Sequence, residues 1–151
     1  MVELENGESV PVHRSILIAR SSFFRSLLAE TEIVSKKIPG SPALVKEVIR
    51  FFYCGLPPEN PESLAVDLLP LADQFEAYDL LDMCDQALRR ILTVENLVDI
   101  LILSEEHFCE RLFTFCLPLF KATAPRLKAA CKEKLKDYPE LLLKLALGCA
   151  E

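Results

Sequence analysis

Val2-Glu3-Leu4-Glu5-Asn6-Gly7-Glu8-Ser9-Val10-Pro11-Val12-His13-Arg14-Ser15-Ile16-Leu17-Ile18-Ala19-Arg20-Ser21-Ser22-Phe23-Phe24-Arg25-Ser26-Leu27-Leu28 is the stretch on which the fold turns. Its first half has a period of two. Val2 and Leu4 alternate with Glu3 and Glu5, and Val10 and Val12 alternate with Ser9 and Pro11. Asn6-Gly7 between two such runs signals a hairpin, since both central residues of the tight turn need positive φ. Pro11 has no N–H to give a ladder, which puts the second strand at an edge or a bulge. From Ser15 the spacing becomes three and four: Ile16, Leu17, Ala19, Phe23, Phe24, Leu27 and Leu28 share one face of an amphipathic helix. A hairpin therefore feeds straight into a helix.

Working outward, Lys36-Lys37-Ile38 reads as a short strand stopped by Pro39-Gly40. Ser41-Pro42 then supplies an N-cap and a first-turn proline for a helix with Leu44, Val45, Val48, Ile49 and Phe52 inward, ending at Gly55. Asn60-Pro61 repeats the start signal, and residues 62–92 read as two helices, with Pro70 breaking or kinking the first near Leu69. Leu80, Leu81, Cys84, Leu88, Ile91 and Leu92 phase the second. Helices are expected from Val94 to about Leu103 and from His107 to about Lys121, the latter interrupted by Pro118. Ala124-Pro125 and Tyr138-Pro139 open two short final ones. The expected class is α+β: a small N-terminal sheet, hairpin plus short strand, packed on a helical body and followed by C-terminal helices.

With 151 residues, 51% hydrophobic and 26% charged, the chain is too apolar for disorder and long enough for a real core. Its formal charge of -6 disfavours nucleic acid, whose affinity comes from neutralising phosphates. That charge is uneven. Residues 59–110 hold 13 acids and 2 bases, while residues 121–136 hold 6 bases and 1 acid. The acidic middle suits a basic partner and the basic tail an acidic face. No apolar run reaches the ~18 residues of a membrane span, and the first residues are acidic where a secretory signal is basic. An intracellular protein, nuclear or cytoplasmic, without membrane contact is expected. Cys54, Cys84, Cys109, Cys116, Cys131 and Cys149 fall in apolar helical patterns and read as reduced core thiols.

Catalytic chemistry has little to work with. The only histidines are His13 and His107, and none of the 4 glycines falls in a phosphate loop or a nucleophile elbow. His107, Cys109 and Cys116 make a conceivable metal corner, yet zinc takes four grouped ligands and no C-x-x-C pair exists, so packed cysteines are the better reading. Asp73, Glu76, Asp79, Asp82 and Asp85 recur every three residues and spiral round their helices as a solvated face. No enzyme activity, cofactor, metal or small-molecule substrate is expected.

The segment from His13 to Arg25 resembles the strand-to-helix signature of the BTB/POZ domain, H-[KR]-x-[IV]-L-x-[AS]-[RC]-S-x-x-F. Further matches follow in order. Val48-Ile49-Arg50-Phe51-Phe52-Tyr53-Cys54-Gly55 is similar to the family's F-x-Y-T-G helix end, and Leu71-Ala72-Asp73-Gln74-Phe75 with Leu80-Leu81-Asp82-Met83-Cys84 to its L-A-[AD]-K-Y…L…C segment. Thr93-Val94-Glu95-Asn96 leading into Ile100-Leu101-Ile102-Leu103, and Lys136 to Leu141, are similar to the post-BTB helices of speckle-type POZ proteins of the MATH-BTB class. The resemblance implies a BTB/POZ-like domain over residues 1–92 and a post-BTB helical extension over 93–151.

It also implies a protein-interaction module that homodimerises, or pairs with another BTB chain, and docks on a cullin-3-type ubiquitin ligase scaffold. An oligomerisation or transcription-related assembly module without cullin binding is the alternative. The docking candidates carried over are Leu28, Glu30, Glu32, Ile33, Tyr53 and Phe75. Leu28-Ala29-Glu30 fits the family's φ-x-E motif, whereas alignment on Ser35-Lys36-Lys37 puts Glu32 at the φ position and Val34 at the Glu position. Phe75 stands where the family carries tyrosine. The dimer-interface candidates are Val2, Leu4, Val10, Arg14 and Ile16. The family's helix and strand before the first hairpin have no counterpart here, nor has the Asp that often pairs with Arg14, so Arg14 must find another acid or reach water.

Overall fold

The computed structural model describes residues 1–29 and 36–150. A three-stranded sheet of order β2-β1-β3 precedes a predominantly helical body. β1 (Val2–Leu4) pairs antiparallel with β2 (Ser9–Val10), Val2 opposite Val10, and parallel with β3 (Lys36–Ile38), Leu4 opposite Ile38. Pro11 directly follows the edge strand β2, where its missing N–H interrupts no ladder. The hairpin differs from the two-residue turn expected. Gly7 N–H donates to Leu4 O (2.9 Å) and Leu4 N–H to Glu8 O (2.8 Å), and only Gly7 has positive φ (83°). That is a three-residue connection in which glycine alone takes the left-handed position.

The helix expected from Ser15 through Leu28 is two helices, α1 (Arg14–Arg20) and α2 (Ser22–Ala29). Ser21 between them is extended (φ -148°, ψ 124°). Its buried hydroxyl accepts the Phe24 N–H (3.2 Å) and donates to the carbonyl of Phe75, so one side chain caps α2 and ties it to a distant turn. α3 (Pro42–Cys54) has its proline at the start and Gly55 in the left-handed region (φ 66°) at its end.

α4 (Pro61–Gln74) runs without a break through Pro70, where a break or kink was expected, and α7 (Glu110–Thr123) likewise runs through Pro118. Val66 and Thr114, four residues back, are exposed, so the carbonyl that each proline leaves without a helical partner can bond water. α5 (Tyr78–Ile91) follows α4, and α6 (Leu97–Glu106) begins three residues later than expected. Asn96 delays it. The Asn96 amide accepts the Thr93 N–H (2.7 Å) and donates to Ile91 O (2.7 Å), holding residues 93–96 as a turn. Ala124-Pro125 opens only a single 3-10 turn (Ala124–Arg126), with α8 (Ala129–Lys136) and α9 (Pro139–Ala150) after it.

Two compact units divide at Cys84 and Asp85, inside α5. In the first, Phe24 and Phe75 are fully buried with ring centroids 5.2 Å apart. Phe23 stacks on Phe75 at 5.1 Å, and Phe52 meets Phe24 edge-on at 6.1 Å. Leu4, Leu17, Ile38 and Leu68 complete that core. In the second, Leu97, Leu101, Leu112, Cys116, Leu141 and Leu145 are buried from α6, α7 and α9. Gly148 lets α9 approach α7, since a Cβ there would lie 2.7 Å from Leu117 Cδ2.

Of the six cysteines expected in the core, only Cys84 and Cys116 are buried. Cys109 and Cys131 are half-buried, while Cys54 at the end of α3 and Cys149 on α9 are exposed. The acidic spiral is likewise mixed. Glu76, Asp79 and Asp82 are exposed, but Asp85 is buried and bonded to Arg89.

Candidate functional site

α1 lies between two exposed aromatic residues of the first unit. At its start, the Tyr53 hydroxyl accepts the main-chain N–H of His13 (2.5 Å) and sits 3.0 Å from that ring's Nδ1. At its end, Arg20 pairs with Asp79 (3.6 Å), next to Tyr78, the first residue of α5. Seven helical residues separate these ties, about 10 Å of rise. Arg14, Ser15, Ala19 and Arg20 on α1 are exposed, Tyr53 is 41% exposed and Tyr78 is 68% exposed. Between Ser9 and Ala29 the chain carries Arg14, Arg20 and Arg25 and no acid, and Asp79 brings the carboxylate that faces Arg20. This face is bounded at the hairpin turn by the ion pair of Lys46 with Glu8 (2.7 Å), whose carboxyl is held below its ordinary value by hydrogen bonds from Lys46 and Asn6.

Tyr53 is thus on the surface and tethered. Leu28 and Phe75, at 3% and 0% exposure, are buried in the core of this chain, Phe75 with its ring stacked on Phe23 and tilted against Phe24. Glu30, Glu32 and Ile33 lie outside the described residues. Among the dimer candidates, Val2 (1%) and Leu4 (0%) are also core, because the central strand turns both inward, whereas Val10 and Ile16 are half-buried and Arg14 is exposed. Arg14 is exposed and makes no ion pair among the described residues. A concavity of about 230 Å³ brings Val2, Arg14 and Leu28 together with Met1 and Val12, the two buried side chains forming its floor.

The sequence reading missed Tyr78. The available signal was its place one residue before Asp79 and outside the inward stripe of Leu80, Cys84 and Leu88, which leaves the ring facing water. The turn before it explains the rest. Glu76 takes positive φ (49°), with Glu76 N–H bonded to Asp73 O (3.0 Å) and Ala77 N–H to Ala72 O (2.8 Å), a Schellman closure that buries Phe75 and turns Tyr78 out. Among the described residues no group of three His, Cys, Asp or Glu side chains could hold a metal ion, and no helix is long and apolar enough to cross a membrane.

An exposed helix that carries Arg14 and Arg20 and has Tyr53 and Tyr78 at its two ends presents residue types that protein interfaces favour. The family model of the BTB/POZ domain matches residues 1–92, so the chain belongs to the BTB/POZ family, whose domain is a non-catalytic interaction module. It is 33% identical over 144 residues to TD and POZ domain-containing protein 1 of Mus musculus, covering 90% of this chain and 40% of that protein. With TD and POZ domain-containing protein 4 of Mus musculus it shares 36% identity over 118 residues, 74% of this chain and 32% of that one. The chain therefore spans about two fifths or less of the length of these relatives.

Proposed function

We propose that the chain is the pairing and scaffold-docking part of an adaptor of the speckle-type POZ kind, acting inside the cell, in nucleus or cytoplasm, on a cullin-3-type ubiquitin ligase scaffold. The carrying observation is the exposed α1 face with Tyr53 and Tyr78 at its ends, since tyrosine and arginine are the side chains that anchor protein interfaces. Glu30, Glu32 and Ile33, which follow α2 in the sequence, are the remaining contact candidates, and Val10, Arg14 and Ile16 the pairing candidates.

Titration with the cullin-3 N-terminal domain tests this. Tyr53→Ala with Tyr78→Ala should weaken binding at least about tenfold, and Arg20→Glu should slow association in a salt-dependent way. Equal affinity of parent and double variant would sink the docking role. A second reading, an assembly module that pairs with BTB chains and ignores cullins, is supported by the burial of Leu28 and Phe75, two of the six docking candidates. Light scattering over a dilution series with no scaffold binding would favour it, and a monomer at every concentration would remove pairing from both readings.

A further inference from the structure

Phe108 is, among the described residues, the most exposed of the large apolar side chains at 81%, and its backbone takes positive φ (52°). It closes α6 as glycine commonly does: Phe108 N–H bonds Glu105 O (3.3 Å) and Cys109 N–H bonds Ser104 O (2.8 Å). Both features cost the isolated chain stability, one by leaving a ring in water, the other by the left-handed backbone of a bulky residue.

What surrounds this turn is acidic. Glu106 accepts the Tyr138 O–H (2.8 Å), and Glu105 and Glu110 share Lys144 (2.8 and 2.9 Å). A concavity of about 240 Å³ is lined by Glu105, Asp137, Tyr138 and Glu140, with Asp137 and Glu140 exposed. The Tyr138 phenol is pushed above its ordinary value by its hydrogen bond to Glu106, by burial and by the charges of Glu106 and Asp137. Lys144 closes on Glu105 and Glu110, Arg111 is the other cation next to the turn in sequence, and Glu106, Asp137 and Glu140 are exposed carboxylates.

We propose that the α6–α7 turn is a second docking surface, in which Phe108 inserts into an apolar pocket of a basic protein partner whose lysine or arginine side chains meet Glu106, Asp137 and Glu140. Charge selects the partner: an anionic membrane or a nucleic acid would be repelled by those carboxylates. The surface belongs to the second unit and does not depend on scaffold docking by the first.

The test uses two synthetic amphipathic helical peptides with the same leucine face, one rimmed with lysine and one with glutamate, titrated into the full chain by fluorescence anisotropy. The lysine-rimmed peptide should bind and the glutamate-rimmed one should not. Phe108→Ala should weaken binding at least about tenfold, and Glu106→Gln with Glu140→Gln about threefold. Phe108→Gly separates binding from folding, because glycine suits the positive φ: it should raise the melting temperature while abolishing binding. Equal binding of both peptides, unchanged affinity in Phe108→Ala, or self-association of the chain that Phe108→Ala abolishes would each overturn the proposal. Tyr53→Ala with Tyr78→Ala should leave peptide binding intact, so failure here and failure of the scaffold-docking reading are told apart.

Discussion

The hydroxyl of Tyr53 binds His13 twice, taking its main-chain N–H at 2.5 Å and facing its ring Nδ1 at 3.0 Å. One phenol therefore fixes the start of α1 against the end of α3. Tyr53→Phe keeps the ring contact with His13 (centroids 5.8 Å apart) and removes only the oxygen. Because the site is open to water, the expected loss is modest, about 1 kcal/mol. It reads out as a lower urea midpoint at unchanged slope. Coincident midpoints would show that water replaces the hydroxyl without cost.

Ser21 presents the buried counterpart. Its hydroxyl both caps α2 and reaches the Phe75 carbonyl across 54 positions of sequence, at 2% exposure. Ser21→Ala strands the Phe24 N–H and a buried carbonyl together, so about 2–3 kcal/mol should be lost. Ser26→Ala on the exposed side of the same helix should stay within about 0.5 kcal/mol. Thermal melts of the two variants check the contrast.

Ser21 also shows where the sequence was readable and where it was not. The alternation of Val2 and Leu4, the proline at the start of α3 and the glycine at its end are local signals, and each element stands where those residues put it. The break at Ser21 is not local, since it depends on a carbonyl supplied by Phe75, and an apolar pattern that continues across the break hides it. Prolines were ambiguous for a related reason: Pro70 and Pro118 signal a break or kink, yet α4 and α7 continue through them, with Val66 and Thr114 four residues back exposed. Site residues were less legible than elements. Aligning a motif names Phe75 and Leu28 without saying which way they face, and the Schellman turn at Glu76 that sends Phe75 inward and Tyr78 outward carries no glycine to announce it.

Cys116 sets an alkaline limit on the second unit. Burial pushes its thiol up to about 11 from 9.0, with Arg89 opposing the shift. The folded chain thus holds this proton more tightly than the unfolded chain does. Its contribution is complete below pH about 9 and is lost as pH rises toward about 11. Lys144, raised by its bonds to Glu105 and Glu110, and Tyr138, raised by Glu106, lose stability in the same direction. A Cys116→Val variant removes the cysteine's share. Its urea midpoint should fall less steeply than the parent's above pH about 9 and run parallel to it below. In the native parent, Cys54 and Cys149 should react with a thiol reagent at neutral pH and Cys116 only after unfolding.

Asp85 and Arg89 form a two-pronged, partly buried pair on α5. Arg89 grips both carboxylate oxygens, Nε to Oδ1 at 3.1 Å and Nη2 to Oδ2 at 2.9 Å, and its guanidinium lies 4.9 Å over the Phe115 ring. The carboxylate is 9% exposed and the arginine 28%, so solvent screens this pair less than it does the exposed Arg20–Asp79 contact. Removing the cation leaves a buried charge without its partner, whereas removing both leaves none. Arg89→Met should therefore cost about 2–3 kcal/mol, and Asp85→Asn with Arg89→Met should cost less than Arg89→Met alone. Arg89→Lys keeps the charge but loses the two-pronged grip and the flat stacking on Phe115, and should fall between the parent and Arg89→Met. A double-mutant cycle from urea denaturation gives the coupling. A value near zero would mean that Asp85 is solvated despite its burial, and the pair would then be no stronger than an ordinary surface contact.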